Sequence, residues 1–274
     1  ILVTTNIING TLNYVFVYAL HLNSEGVAYA SNIAESIQLL MAIYFIKPQL
    51  WAHDSWAFAK TFFKGFLQLN VQLFIRTFFL LFTFAFFMSK GAQHSAALLS
   101  ANAILINLLM FISNALDGFA IASESLVGKA LADKKIQRIR QVIQASGFWS
   151  LMFAIGFSFT LWIANGPILA MLTSQEDVLH ILDQLHYWLI FLPLAGFACY
   201  WLDGIFIGLA AGKAMRDSVL FALFGLFLPL QFFFNDWHLH GLWLALFAFL
   251  IGRAAWQLLA LPKIMQRNAN PLTQ

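Results

Sequence analysis

Eight apolar stretches, each long enough to cross a bilayer as a helix, decide most of what this chain can become. A spanning helix needs roughly 20 mostly apolar residues. The stretches that qualify are Ile1–Leu20, Gly26–Ile46, Gly65–Met88, Ala96–Ala122, Gly147–Leu172, Tyr187–Ile207, Ser218–Phe234 and Gly241–Leu261. Membrane-barrel strands run about ten residues with dyad alternation. These runs are longer and do not alternate, so barrel strands do not fit. Only 10% of residues are charged and 30 are Phe. A soluble domain carries about a quarter charged residues, and its wet exterior could not hide that apolar surface. The expected fold is an all-α integral membrane protein, a polytopic bundle of about eight transmembrane helices.

Lysine and arginine set the expected orientation. Lys47, Lys60 and Lys64 follow the second stretch, and Lys129, Lys134, Lys135, Arg138 and Arg140 the fourth. Lys213 and Arg216 follow the sixth, and Lys263 and Arg267 the eighth. Twelve of the fifteen basic residues thus fall on one side, against Lys90 alone in the opposite loops. The even-numbered ends and the C-terminus are expected in the cytoplasm. The chain opens at Ile1 inside an apolar run, as a fragment lacking its N-terminal part would. Asn165-Gly166-Pro167 interrupts the fifth stretch and marks a candidate end. Leu172 to Asp177 reads as a turn and cap that open the sixth. In Ser125–Gln144, Ile136, Ile139 and Val142 recur at helical spacing; an amphipathic surface helix and a solvated connector both fit. A faint internal echo links Gly26-Val27-Ala28 to Gly241-Leu242-Trp243. Each opens a stretch after a short turn, and each stretch ends at a Pro and a Lys.

Charges within spanning helices are costly and face a partner or a water-filled cavity. Gln68, Gln72 and Arg76 share one stripe of the third stretch. Arg76 either lines a cavity or is neutralised by a carboxylate on a neighbouring helix. Asn107, Asn114, Asp117 and Glu124 fall on one face of the fourth stretch, which fits a transport pathway or interhelical hydrogen bonding. In the sixth, Asp203 follows Tyr200, and Pro193 is expected to kink the helix. Gly204, Gly208 and Gly212 suggest close helix packing. Glu35 in the second stretch and Arg253, with Gln257, in the eighth either line the interior or pair locally.

Several classes are excluded. The lone Cys199 rules out an intrachain disulfide. No HExxH, GxSxG or P-loop pattern occurs, so neither a hydrolase nor an ATPase is expected. His238 and His240 do not share a helical face, and with Trp237 and Trp243 they suit an interfacial girdle better than a metal site. No metal and no cofactor is expected. The basic residues are dispersed over separate loops, which argues against nucleic acid.

Ala115-Leu116-Asp117-Gly118-Phe119-Ala120, with Glu124 and the basic stretch from Gly128 to Arg140, resembles the eighth helix and following loop of multidrug and toxic compound extrusion (MATE) transporters. Tyr200-Trp201-Leu202-Asp203-Gly204-Ile205-Phe206-Ile207-Gly208, followed by Met215-Arg216-Asp217-Ser218, resembles the family's tenth helix and next loop. Leu20 to Ala28 resembles the outside turn between its fifth and sixth helices. The DNA-damage-inducible DinF type matches best. The resemblance implies helices five to twelve of a two-lobed, twelve-helix transporter. Residues 1–46 would end the N-terminal lobe, 47–64 form a cytoplasmic linker, 65–262 the six-helix C-terminal lobe and 263–274 a cytoplasmic tail.

By the same resemblance the protein would be a monomeric multi-pass transporter of the inner (plasma) membrane. It would export small amphipathic or cationic drugs and toxic compounds by alternating access, in exchange for protons or sodium. Asp203 matches a carboxylate implicated in cation coupling in sodium-type members. Arg76 falls at or near the position of their seventh-helix Glu, a departure that favours H⁺ over Na⁺. A lipid-linked oligosaccharide flippase of related architecture, a membrane scaffold and an intramembrane enzyme are the rival expectations.

Overall fold

The computed structural model describes residues 1–50, 56–92, 96–234 and 237–269. Part of the expected linker (51–55) and the end of the expected tail (270–274) lie outside the described residues. Two compact units divide the chain, Ile1–Phe63 and Lys64–Gln274. All regular structure among the described residues is helical. Among the described residues six helices, all in the second unit, are long and apolar enough to cross a membrane.

The first unit is a helical hairpin. α1 (Leu2–Tyr14) passes into a π-helical turn, Val15–Ala19, and α2 runs Asn23–Leu50. The two stretches expected to span here are absent from the six. α1 gives up its regular ladder after thirteen residues, and α2 carries Asn32, Glu35 and Gln38 midway. The connecting turn holds His21 and Asn23 at positive φ. A Cβ on Gly26 would approach Phe16 Cβ to 3.0 Å, so the turn closes on a residue without a side chain.

α3 is Trp56–Ala92, with Lys64 onward in the second unit; α4 is Ala96–Ala132 and α5 is Ile136–Leu172. The short α6 (Glu176–Gln184) leads into α7 (His186–Gly208). α8 (Gly212–Leu220), a π-helical segment (Phe221–Phe227) and α9 (Leu228–Phe233) form one continuous rod, and α10 is His238–Ala269. Pro229, at the start of α9, lacks an N–H and crowds the carbonyl four residues back. The wider π-helical turns before it give that crowding room.

Two sequence expectations need correction. Ser125–Gln144 is neither a separate helix nor a loop: α4 and α5 run on and meet at a tight turn. Lys134 adopts φ 57° there, and the Lys135 N–H donates to the Ala130 carbonyl at 2.9 Å. The Ile136, Ile139, Val142 periodicity is the core face of α5 itself, with Ile139 fully buried. Asn165-Gly166-Pro167 does not end α5; Ala164 leaves helical geometry and the helix resumes to Leu172. Pro193 lies inside α7.

α7 is the most enclosed helix, and its glycines explain how. A Cβ on Gly204 would fall 2.2 Å from the Ala120 carbonyl oxygen, and one on Gly208 2.7 Å from that of Glu124. α4 and α7 therefore touch backbone to backbone. Trp201 Nε1 donates to Ser146 Oγ at 2.8 Å, tying α7 to α5. Trp243 of α10 packs edge-on against Phe87 and donates to Asn102 Oδ1 at 3.1 Å, tying α10 to α3 and α4. Cys199 is fully buried, its thiol donating to the Gly196 carbonyl. The exterior is apolar: Phe74, Met171, Phe232 and Leu259 are all largely exposed. Lipid, not water, suits such a surface.

Candidate functional site

The second unit's buried charges converge on Asp203. α7 presents this carboxylate from the turn that also carries Gly204, so it sits where α7 lies closest to α4. Its Oδ2 accepts hydrogen bonds from Nη2 of Arg76 on α3 and from Nη2 of Arg253 on α10, the latter at 2.7 Å. Its Oδ1 accepts from Gln257 Nε2, one turn beyond Arg253, at 2.7 Å. Arg253 has no exposed side-chain surface, Asp203 retains 9% and Arg76 16%. One carboxylate thus joins three helices and counters two guanidinium groups. The face of Phe249 lies 5.6 Å from the Arg253 guanidinium carbon, where the ring quadrupole favours a cation. Nε and Nη1 of Arg253 and Nε of Arg76 are buried without hydrogen-bond partners, and the cluster keeps an excess of positive charge.

Other sequence candidates surround this core unevenly. Tyr200, one turn before Asp203, is half-buried and packs against the hydrophobic core. Asp117 is half-buried on α4 and lies within electrostatic reach of both Asp203 and Arg76. Gln72 is half-buried, with Oε1 enclosed and unpaired, beside the Gly212 backbone. Glu124 is half-buried, and Asn107 and Asn114 are exposed. The polar stripe of α4 therefore flanks the face that packs on α7 and stays accessible on the second unit. Glu35 belongs to the first unit and is exposed. His240 accepts a bond from Trp188 Nε1 at 3.0 Å. Among the described residues no three His, Cys, Asp or Glu gather to hold a metal.

Sequence reasoning placed Arg253 and Gln257 four residues apart without joining them to Asp203. The two fall on one stripe of α10, which was a usable signal. The identity of the facing helix was not.

The family profile described as MatE matches residues 72–233, more than half of the chain, and takes in Arg76 and Asp203 of this cluster. The chain belongs to the MATE family. It is 34% identical to DNA damage-inducible protein F of Escherichia coli K12 over 98% of its own length and 58% of that protein's. Against human multidrug and toxin extrusion protein 1 it is 23% identical, over 66% of this chain and 33% of the relative. The Vibrio cholerae MATE transporter VcmN in its bent form superposes with a TM-score of 0.79 at 18% identity, covering 96% of this chain and 61% of that one. The chain thus spans less than two thirds of these proteins. The fold is that of MATE transporters, and members of the family are transporters, not enzymes.

Proposed function

We propose that the full-length protein exports amphipathic organic cations by alternating access, in exchange for protons rather than sodium. The observation that carries the choice of ion is the clamp on Asp203. Sodium needs a set of open oxygen ligands, whereas both oxygens of this carboxylate already accept N–H bonds. Two guanidinium groups against it would repel a second cation. Asp117, the nearby carboxylate without such a clamp, is the better proton carrier. On this reading Asp203 holds Arg76 and Arg253 in place while Asp117 exchanges its proton. A proton or substrate shifts the inward–outward balance only through its unequal affinity for the two states. The accessible stripe of Asn107, Asn114 and Asp117 would form one wall of the substrate path, and the aromatic group Phe119, Phe153 and Phe157 would give apolar contact. The basic ends of the helices and the C-terminus are assigned to the cytoplasm, at the inner membrane. The arginines turn toward Asp203 rather than into an open path, which argues against a flippase for pyrophosphate-linked substrates.

The test uses full-length protein in proteoliposomes loaded with a fluorescent organic cation. Efflux should follow an imposed proton gradient and be lost in Asp117→Asn. Efflux driven equally well by a sodium gradient alone would overturn the choice of ion.

A further inference from the structure

Away from Asp203, the second unit holds a cavity of about 360 Å³ between the first turns of α5 and the last turns of α10. Ile136, Ile143, Leu261 and Met265 supply an apolar wall, and Arg140 and Gln144 lie along it. Arg140 and Gln144 are both exposed. No carboxylate pairs with Arg140 among the described residues; the nearby Asp133 is taken by Lys135 at 3.1 Å. Arg138, Lys263 and Arg267 add charge of the same sign at these helix ends.

The height of the groove along the helices is informative. α5 has 37 residues, which at 1.5 Å per residue is about 55 Å, against a hydrocarbon core of about 30 Å. Its apolar span is Gly147–Leu172, so the groove, built from residues 136–144, lies beyond that core at headgroup level. On α10 the groove begins at Leu261, where the apolar span ends. The site is apolar inside, cationic at its edge and level with lipid phosphates.

We propose that this groove binds one anionic phospholipid. The phosphate sits on Arg140, and the glycerol and upper acyl chain lie against Ile136, Ile143, Leu261 and Met265. Basic pockets between transmembrane helices suit such headgroups, while an apolar wall alone would take any lipid. Arg140 makes the selection by charge. The same charge repels an organic cation, so the groove is not a second substrate site. A lipid seated here bridges α5 and α10, two helices otherwise joined largely through α7.

Native mass spectrometry of the full-length protein in micelles tests this, with phosphatidylglycerol and phosphatidylcholine of identical chains as probes. Both lipids offer the phosphate, but the choline cation cancels its charge and meets the basic helix ends as a like charge. Phosphatidylglycerol is therefore expected to bind about fivefold tighter or more, the roughly 1 kcal/mol of one basic residue facing a net anionic headgroup. Arg140→Gln abolishes the preference. Arg138→Gln, at an exposed residue outside the groove, retains it and so separates the site from general surface charge. Gln144→Trp, an exposed change that fills the groove, weakens phosphatidylglycerol binding. Equal affinity for the two lipids overturns the proposal, as does a preference that survives Arg140→Gln. So does full competition by glycerol phosphate, which would mean a free-phosphate site, or a dimer peak lost in Gln144→Trp, which would mean a second copy occupies the groove.

Discussion

Replacing Asp203 with Asn should be among the most damaging single changes in the second unit. The side chain keeps its size, so the effect is electrostatic. Arg76 and Arg253 both bond to Oδ2, and two nitrogens on one oxygen lie no more than about 6 Å apart. With the carboxylate charge gone, the two guanidinium groups repel by about 3 kcal/mol at an effective dielectric of about 20. Removing one partner of a buried ion pair costs about 3–5 kcal/mol, and the limited exposure of Arg76 and Asp203 leaves little water to screen it. A loss of that size should lower the thermal unfolding midpoint of the purified protein by on the order of 10 °C. The double variant Asp203→Asn with Arg253→Met removes the like-charge pair and should recover at least half of the loss. A single variant melting within about 2 °C of the parent, or a double variant no better than the single, would refute the clamp.

Four further outcomes follow from the packing and the backbone, each read as a thermal midpoint. Gly204→Ala forces a methyl against the Ala120 carbonyl and should cost about 1–3 kcal/mol. Gly118→Ala, at an exposed helical position with nothing within 4 Å of the new carbon, should gain about 1 kcal/mol; the two variants should bracket the parent. Trp243→Phe keeps the ring contact with Phe87 but strands the buried Asn102 carbonyl, for a loss of about 1–3 kcal/mol. Ala210 ends α7 at φ 52°, so Ala210→Gly should relieve about 1 kcal/mol of left-handed strain and raise the midpoint.

The membrane fold and most helix positions are legible in the sequence because apolar length is a local property. The glycine spacing at 204 and 208 foretells close packing, since only a missing side chain admits a carbonyl at that distance. Helix ends are less legible. The charges between Lys129 and Arg140 resemble a loop, yet Lys129, Arg138 and Arg140 ride on the exposed faces of helices that outrun the bilayer, and only Asp133, Lys134 and Lys135 form the turn between them. The π-helical segment before Pro229 was hidden because proline predicts a disturbance without saying how the backbone absorbs it. The Asp203 cluster lies between these cases. Cost alone says that Arg76 and Arg253 need partners, but which carboxylate they share depends on helix neighbours far apart in sequence.

Transport by this protein turns, above all, on the exchanged ion being a proton. Adding a fluorescent organic cation to the purified full-length protein in weakly buffered solution measures this directly with a pH indicator. Proton release on substrate binding is expected, the same with sodium or choline as the background salt and lost in Asp117→Asn. Substrate binding without proton release, or release that requires sodium, would contradict it.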